Sequence, residues 1–248
     1  MLDRYAERRL VSSAAAVVTV SEPWANTYRE AYGKPTVVIY NGYDPDDLAI
    51  NETHQARHDK ALRILYMGGI YPGRRDPSPL FEAIAGLDQA AKSVRVEFYG
   101  TSESLVMPLA ASYGVTGCVV VYPRVTHDES LKLQREADVL LLMQWNDPRE
   151  QGNVPGKFFE YLGARRPILI LGLEDGVPAS IVRERNAGFF GGNPDAIAKQ
   201  LKAWIRMKQG SGGIPASPES ARAGFSRQAQ FRKLEIFLED VLYSTMKS

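Results

Sequence analysis

The sequence predicts an α/β fold built on a doubly wound parallel sheet, and three observations predict it. Short apolar runs alternate with helix-length amphipathic segments from about residue 62 to residue 190, the pattern of successive βαβ units. Most of these runs are apolar at consecutive positions, as in strands covered by helices on both faces. The helical segments between them carry start signals at their N-terminal ends.

Taken in order, the expected strands are residues 62–67, 94–99, 118–122, 139–143, 168–171 and 188–190. Only 94–99 carries more than one charge, both on one side. Asp76-Pro77 opens a helix containing Leu80, Ile84 and Leu87, with proline suited to a first turn. Thr126 followed by Glu129 forms a capping-box pattern ahead of Leu131. Asn193-Pro194 begins a helix with Ile197, Leu201, Trp204 and Ile205 on one side, and Ser217-Pro218 begins another.

The two ends stand outside this repeat. The first 40 residues read as helix 2–11, strand 15–20, a helix from Ser21-Glu22-Pro23 to about Tyr32, and strand 36–40. Asn41-Gly42 is a turn dipeptide, and the polar stretch 44–60 reads as a linker. A Gly/Ser/Pro loop over 209–217 precedes a final helix, about 226–243, with Phe231, Leu234, Leu238, Val241 and Leu242 on one face. That stripe is expected to pack back on the first 40 residues. The division that follows is a junction over 1–45, a linker over 46–60, a nucleotide-binding unit over 61–215 and C-terminal helices over 216–248.

Composition bounds the function. A chain of 248 residues holds one large domain or one and a fraction. Thirty Lys+Arg against 29 Asp+Glu give a net charge of +1, without the basic stripe of a nucleic-acid binder. Cys118 is the single cysteine and sits in an apolar run, where it reads as a small core residue in a reducing, cytoplasmic setting. The longest apolar runs fall short of the roughly 18 residues that span a bilayer, and the N-terminus lacks a signal peptide's apolar region.

If the sheet has order 3-2-1-4-5-6, ligands bind at the carboxyl ends of strands one and four. After strand one comes Gly68-Gly69-Ile70-Tyr71-Pro72-Gly73-Arg74-Arg75-Asp76-Pro77. Paired glycines admit a ligand to the backbone, a helix N-terminus favours an anion, and guanidinium forks suit a diphosphate. It is neither a Walker loop nor a dinucleotide fingerprint; the plainer alternative is an ordinary βα turn with solvated arginines. After strand four, the loop 144–153 leads to a helix start near Val154-Pro155, with Lys157 and Glu160 one turn in. Lys157 and Glu160 form either a surface pair or, separately, an anion contact and an acceptor for ribose hydroxyls. Two anion-friendly loops meeting at one switch point favour a nucleoside-diphosphate ligand.

The stretch from Val154-Pro155-Gly156-Lys157-Phe158-Phe159-Glu160-Tyr161-Leu162 to Leu169 closely resembles a conserved segment of glycosyltransferase family 4, whose members have the two-domain GT-B fold. Ala16-Val17-Val18-Thr19-Val20-Ser21-Glu22, Val38-Ile39-Tyr40-Asn41-Gly42-Tyr43-Asp44 and Ala137-Asp138-Val139-Leu140-Leu141 are similar to further signatures of the family, in the same order. The resemblance implies a Rossmann-like, donor-binding C-terminal half, with an interdomain junction in front and a crossover helix behind.

By residue, the resemblance implies that Glu160 holds the ribose and that Arg74 or Arg75, with Arg75 preferred, meets the donor diphosphate. Gly68 and Gly69 form the donor loop, Asn153 and Val154 offer backbone N–H groups to sugar or phosphate, Arg124 and Val125 line the base pocket, and Gly100 keeps the cleft open. Arg75 and Lys157 are the expected catalytic cations. The implied reaction moves a hexose-type sugar from a UDP or GDP sugar to an acceptor hydroxyl with retention, in polysaccharide or glycoconjugate synthesis, without metal or cofactor. Its implied partners are the nucleotide sugar and an acceptor-binding N-terminal half; nucleic acid is excluded, and membrane contact would be peripheral, at the inner surface. The first glutamate of the family's paired-glutamate motif falls at Gly152, so that acid is absent, replaced by backbone, or supplied by Glu150. A GT-B epimerase and a non-catalytic nucleotide-sugar-binding module are the alternative functions.

Overall fold

A computed structural model describes residues 2–49 and 60–247. The chain opens with α1 (Leu2–Ser13), β1 (Val17–Thr19), α2 (Glu22–Tyr32), β2 (Thr36–Val38) and the one-turn α3 (Asp46–Ala49). β1 and β2 pair in parallel as a two-stranded sheet joined through α2. Pro23 sits in the first turn of α2, and Gly33 closes it in the left-handed conformation at φ 62°, a backbone state glycine adopts without steric cost. Both strands are shorter than the 15–20 and 36–40 expected. Of the expected linker over 46–60, residues 46–49 form α3, and 50–59 lie outside the described residues.

The main unit continues with β3 (Leu62–Met67), α4 (Ser78–Ala85), β4 (Val94–Tyr99), α5 (Glu103–Ser112), β5 (Val119–Tyr122), α6 (His127–Glu136) and β6 (Val139–Met143). It ends with α7 (Gly156–Ala164), β7 (Ile168–Leu171), α8 (Val177–Glu184), β8 (Gly188–Phe190), α9 (Pro194–Ser211), α10 (Glu219–Arg222) and α11 (Arg227–Met246). The strands form one parallel sheet in the order β5-β4-β3-β6-β7-β8, the 3-2-1-4-5-6 order whose switch point lies between β3 and β6.

Two apolar layers sandwich this sheet. Leu62, Ile64 and Tyr66 face α4, α5 and α9 through Phe81, Ile84, Val106, Leu201 and Trp204. Leu65 and Met67, on the opposite face, meet α6, α7 and α8 through Leu133, Phe158, Phe159, Leu162 and Val182. The alternation along β3 is the period-two geometry of a strand, and it explains why the run is apolar at nearly every position. Burying each such side chain contributes about 1.5–3 kcal/mol. Arg63 is the exception inside β3: its guanidinium pairs with Glu97 on β4 at 2.7 Å, with both side chains 3% exposed, as buried charges require.

Capping follows the sequence closely. Thr126 Oγ1 accepts from the Glu129 N–H at 3.3 Å, and Asn193 Oδ1 from the Ala196 N–H at 2.9 Å. The structure changes three readings at element ends. Residues 116–118 form a 3-10 turn, so β5 begins at Val119. α9 continues to Ser211, shortening the loop expected over 209–217. The start of α11 meets the junction, where the Tyr43 N–H donates to the Phe225 carbonyl, the Arg227 N–H to the Tyr43 carbonyl, and Gln230 Oε1 accepts from the Tyr40 N–H. Its expected stripe does not pack along the first 40 residues, because Phe231, Leu238 and Leu242 remain 63%, 47% and 64% exposed. Cys118 is half-buried and its Sγ–H donates to the Ala91 carbonyl at 3.3 Å; burial raises its pKa.

Among the described residues, no helix is long and apolar enough to cross a membrane.

Candidate functional site: a cleft at the switch point

The carboxyl ends of β3 and β6 open into a cleft with two lobes that meet at Tyr71. The larger, about 490 Å³, is lined by residues that include Gly68, Gly69, Tyr99, Gly100, Arg124, Val125, Lys157 and Glu160. The smaller, about 290 Å³, is lined by Arg74, Arg75, Gln144, Trp145, Glu150, Asn153 and Pro155 among others. Of the expected site residues, only Val154 lines neither lobe; its side chain is buried in the core beneath.

The floor is built from close backbone approaches. Gly68 follows β3 at φ 120°, and a Cβ there would stand 2.6 Å from Lys157 Nζ. Gly100 follows β4 at φ 78°, with a would-be Cβ 3.8 Å from Gly68 Cα. Both positions need glycine for conformation, and Gly68 needs it for space as well. The phenol of Tyr161 on α7 accepts the Met67 N–H at 3.2 Å, tying the end of β3 to α7.

Lys157 is placed by the first turn of α7. Its ammonium donates to the Met67 carbonyl and lies 4.7 Å from the centre of the Tyr66 ring. Burial, with the nearby Arg75 charge, lowers its pKa from 10.5 to about 8, while Glu160 acts in the opposite direction. Lys157 and Glu160 do not form the surface pair that their spacing allows. Instead, Glu160 Oε2 accepts from Gln134 Nε2 at 3.1 Å, and Gln134 also donates to Ser130 Oγ. That arrangement holds the carboxylate at the edge of the larger lobe.

The donor-loop arginines separate. Arg75 turns back, its Nη1 donating to the Gly69 carbonyl at 3.1 Å and its guanidinium lying 4.8 Å from the centre of the Tyr71 ring. Tyr66 Oη donates to the same carbonyl at 2.8 Å. Arg74 reaches across the smaller lobe to lie 4.7 Å from the centre of the Trp145 ring, a cation–π contact. Arg149 also approaches that ring, at 5.2 Å, and pairs with Asp147, whose carboxyl it holds at a pKa of about 2.

Two expectations about anion donors are corrected. The N-terminus of α4 does not face the cleft: Asp76 Oδ1 accepts the Ser78 N–H at 2.8 Å, and Asp76 and Pro77 line a separate hollow with Leu105 and Leu109. The turn compatible with Gly73 carries the chain out of the cleft before the helix begins. The Asn153 N–H, expected to be free for a ligand, donates to the Glu150 carbonyl at 2.9 Å, because residues 148–150 form a 3-10 turn that 151–153 extend. The Asn153 carbonyl is taken by Gln144 Nε2 at 3.1 Å. The N-terminus of α7 does face the cleft, with Pro155 on one lobe and Lys157 on the other.

Sequence reading missed Tyr71, Tyr99, Gln144 and Trp145 as cleft residues, and Trp24 beneath the loop. Tyr99 stacks on Tyr122 with ring centres 4.6 Å apart, presenting an aromatic wall beside Arg124 and Val125. Gly152, where the resemblance places a glutamate, is buried; a Cβ there would lie 2.5 Å from the Trp24 indole and 2.7 Å from Ser21 Oγ. Glu150 lines the smaller lobe, and its Oε2 accepts from Asn153 Nδ2 at 2.5 Å. Among the described residues, no group of three or more His, Cys, Asp or Glu is arranged to hold a metal ion.

No protein-family model matches the chain, and no curated protein sequence matches it. Solved structures do. Anabaena HepE, crystallised with UDP, superposes with a TM-score of 0.67 at 18% identity over 92% of this chain. TarM gives a TM-score of 0.67 at 13% identity over 93% of this chain, and WaaG, a glycosyltransferase involved in lipopolysaccharide biosynthesis, gives 0.62 at 17% over 89%. The chain spans 64%, 45% and 62% of the lengths of HepE, TarM and WaaG. The six-stranded parallel sheet is therefore Rossmann-like and matches the GT-B fold of these structures.

Proposed function

We propose that this chain is the donor-binding part of a family 4 glycosyltransferase, moving a hexose-type sugar from a nucleotide-diphosphate sugar to an acceptor hydroxyl. The observation that carries the reading is the convergence of Lys157 and Arg75 on the Gly68-Gly69 turn, with Glu160 at the edge of the same lobe. A compact cationic centre over exposed backbone suits a diphosphate, and a carboxylate beside it suits ribose hydroxyls. Likeness of fold to HepE, crystallised with UDP and with UDP-glucose, supports the same choice. In this reading the base lies against Tyr99, Arg124 and Val125, and the sugar enters the smaller lobe.

The chemistry is electrostatic. As the bond from the anomeric carbon to the diphosphate breaks, its electron pair stays on the departing phosphate oxygen. Lys157 and Arg75, already in place and partly removed from water, stabilise that charge without reorganising, which is how preorganised dipoles and cations lower a barrier. The acceptor oxygen forms the new bond on the face the diphosphate leaves, giving retention, and its proton passes to the departing phosphate oxygen; the acceptor is held by a further domain. Donor binding needs no metal in this scheme, because side-chain cations meet the diphosphate. A thermal-shift screen across nucleoside diphosphates and their sugars tests it: a ligand that binds only the folded state raises Tm. The reading expects UDP or GDP and the corresponding sugars to do so; no shift from any of them at millimolar concentration contradicts it.

A further inference from the structure

Resting on the donor-site reading above, we infer that the smaller lobe selects a sugar bearing a negative charge, the carboxylate of a hexuronate. The cations of the cleft are engaged differently. Lys157, in the larger lobe, and Arg75, which lines the smaller lobe but turns back to the Gly69 carbonyl, stand at the Gly68-Gly69 turn, where the diphosphate is placed, and supply the charges it needs. Arg74 does not join them. Its guanidinium lies against Trp145, a residue of the smaller lobe alone. Among the described residues it pairs with no carboxylate, whereas the neighbouring Arg149 is neutralised by Asp147.

Among the described residues, Glu150 is the one acid lining that lobe, and its carboxylate accepts from the Asn153 amide. At position 152 the chain has glycine, and the space beyond its Cα is filled by Trp24 and Ser21. A lobe in which Arg75 turns back to the backbone, the one lining acid is engaged and the Arg74 guanidinium meets no carboxylate among the described residues suits a sugar whose carboxylate takes the Arg74 fork, a charge-assisted contact with bidentate geometry.

Calorimetric titration of the full chain with matched pairs, UDP-glucose against UDP-glucuronate and GDP-mannose against GDP-mannuronate, tests the inference. The acidic member of the pair that binds should be favoured by about five-fold or more at low salt, with the preference shrinking as salt screens an exposed contact. Arg74→Gln should bring the ratio of the two affinities close to one, and Arg74→Lys should retain part of it. Equal affinities in the unsubstituted chain, or a ratio unchanged by Arg74→Gln, overturn the inference while leaving the donor site standing. Failure of every nucleoside diphosphate and sugar to bind overturns the donor-site reading itself, and this inference with it.

Discussion

The ammonium of Lys157 fills the space in which a side chain on residue 68 would begin: a Cβ at Gly68 would lie 2.6 Å from Nζ. Residues from two βα units thus form one compact feature, the bare turn after β3 and the cation from the first turn of α7. Everything proposed for the diphosphate depends on that interlock.

Replacing Gly68 with alanine attacks it twice. The residue sits at φ 120°, which costs a side-chain-bearing residue on the order of 1–3 kcal/mol, and the new methyl displaces the ammonium. Gly68→Ala should lower Tm and weaken nucleoside-diphosphate binding by about tenfold or more, read by thermal melting and calorimetry. Undiminished affinity would show that the Lys157 position is immaterial.

Donor affinity should depend on pH through Lys157. Its pKa of about 8 leaves it charged at neutral pH and progressively neutral above. A nucleoside diphosphate is already fully ionised there, since its last phosphate proton is lost near pH 6. Affinity should therefore fall as pH rises from about 7 to about 9. Lys157→Met should bind weakly with a flat profile over that range; a profile unchanged from the parent chain would remove Lys157 from the site.

The same depression acts on the unliganded fold in the opposite sense. Between about 8 and the unfolded value of 10.5, the unfolded chain holds more protons than the folded one, so the Lys157 contribution becomes more stabilising as pH rises. Below about 8 the cost of burying the charge is fully present. Lys157→Met should consequently raise Tm at pH 7 by about a few degrees, an increase that vanishes near pH 10.5. Equal destabilisation at both pH values would show that the Met67 contact outweighs the buried charge.

Position 152 offers a steric test. Gly152→Ala places a methyl 2.5 Å from the Trp24 indole and should destabilise by about 1–3 kcal/mol. Trp24→Ala in the same chain should recover much of that loss, giving a coupling in a double-mutant cycle. Additive effects would mean that the two positions do not share a contact.

The central strands β3, β6 and β7 were legible because every residue in them is buried, and the outer ones because glycine, proline or turn residues bound them; five of the six have the expected limits. The exception, β5, starts one residue late because Cys118 completes a 3-10 turn that local composition does not mark. The apolar face of α11 was legible as a stripe, but a stripe does not name its partner, and Phe231, Leu238 and Leu242 stay exposed. Gly68, Arg75, Lys157 and Glu160 could be placed at the cleft from the sequence because their loops follow the two strands at the switch point. Trp24 and Trp145 were missed for different reasons. Trp24 reaches the cleft loop from a remote part of the chain, and Trp145 belongs to no spacing pattern. The Asn153 N–H was misassigned because the turn that consumes it is visible only as a backbone bond.

The most direct measurement is a calorimetric titration with UDP and with GDP of the parent chain, Lys157→Met and Arg75→Gln. At least one nucleotide should bind the parent chain with micromolar affinity, and both substitutions should weaken it by about tenfold or more, each contact being a charge-assisted one. Binding that survives both substitutions, or no heat from either nucleotide at millimolar concentration, would contradict a diphosphate site at the meeting of β3 and α7.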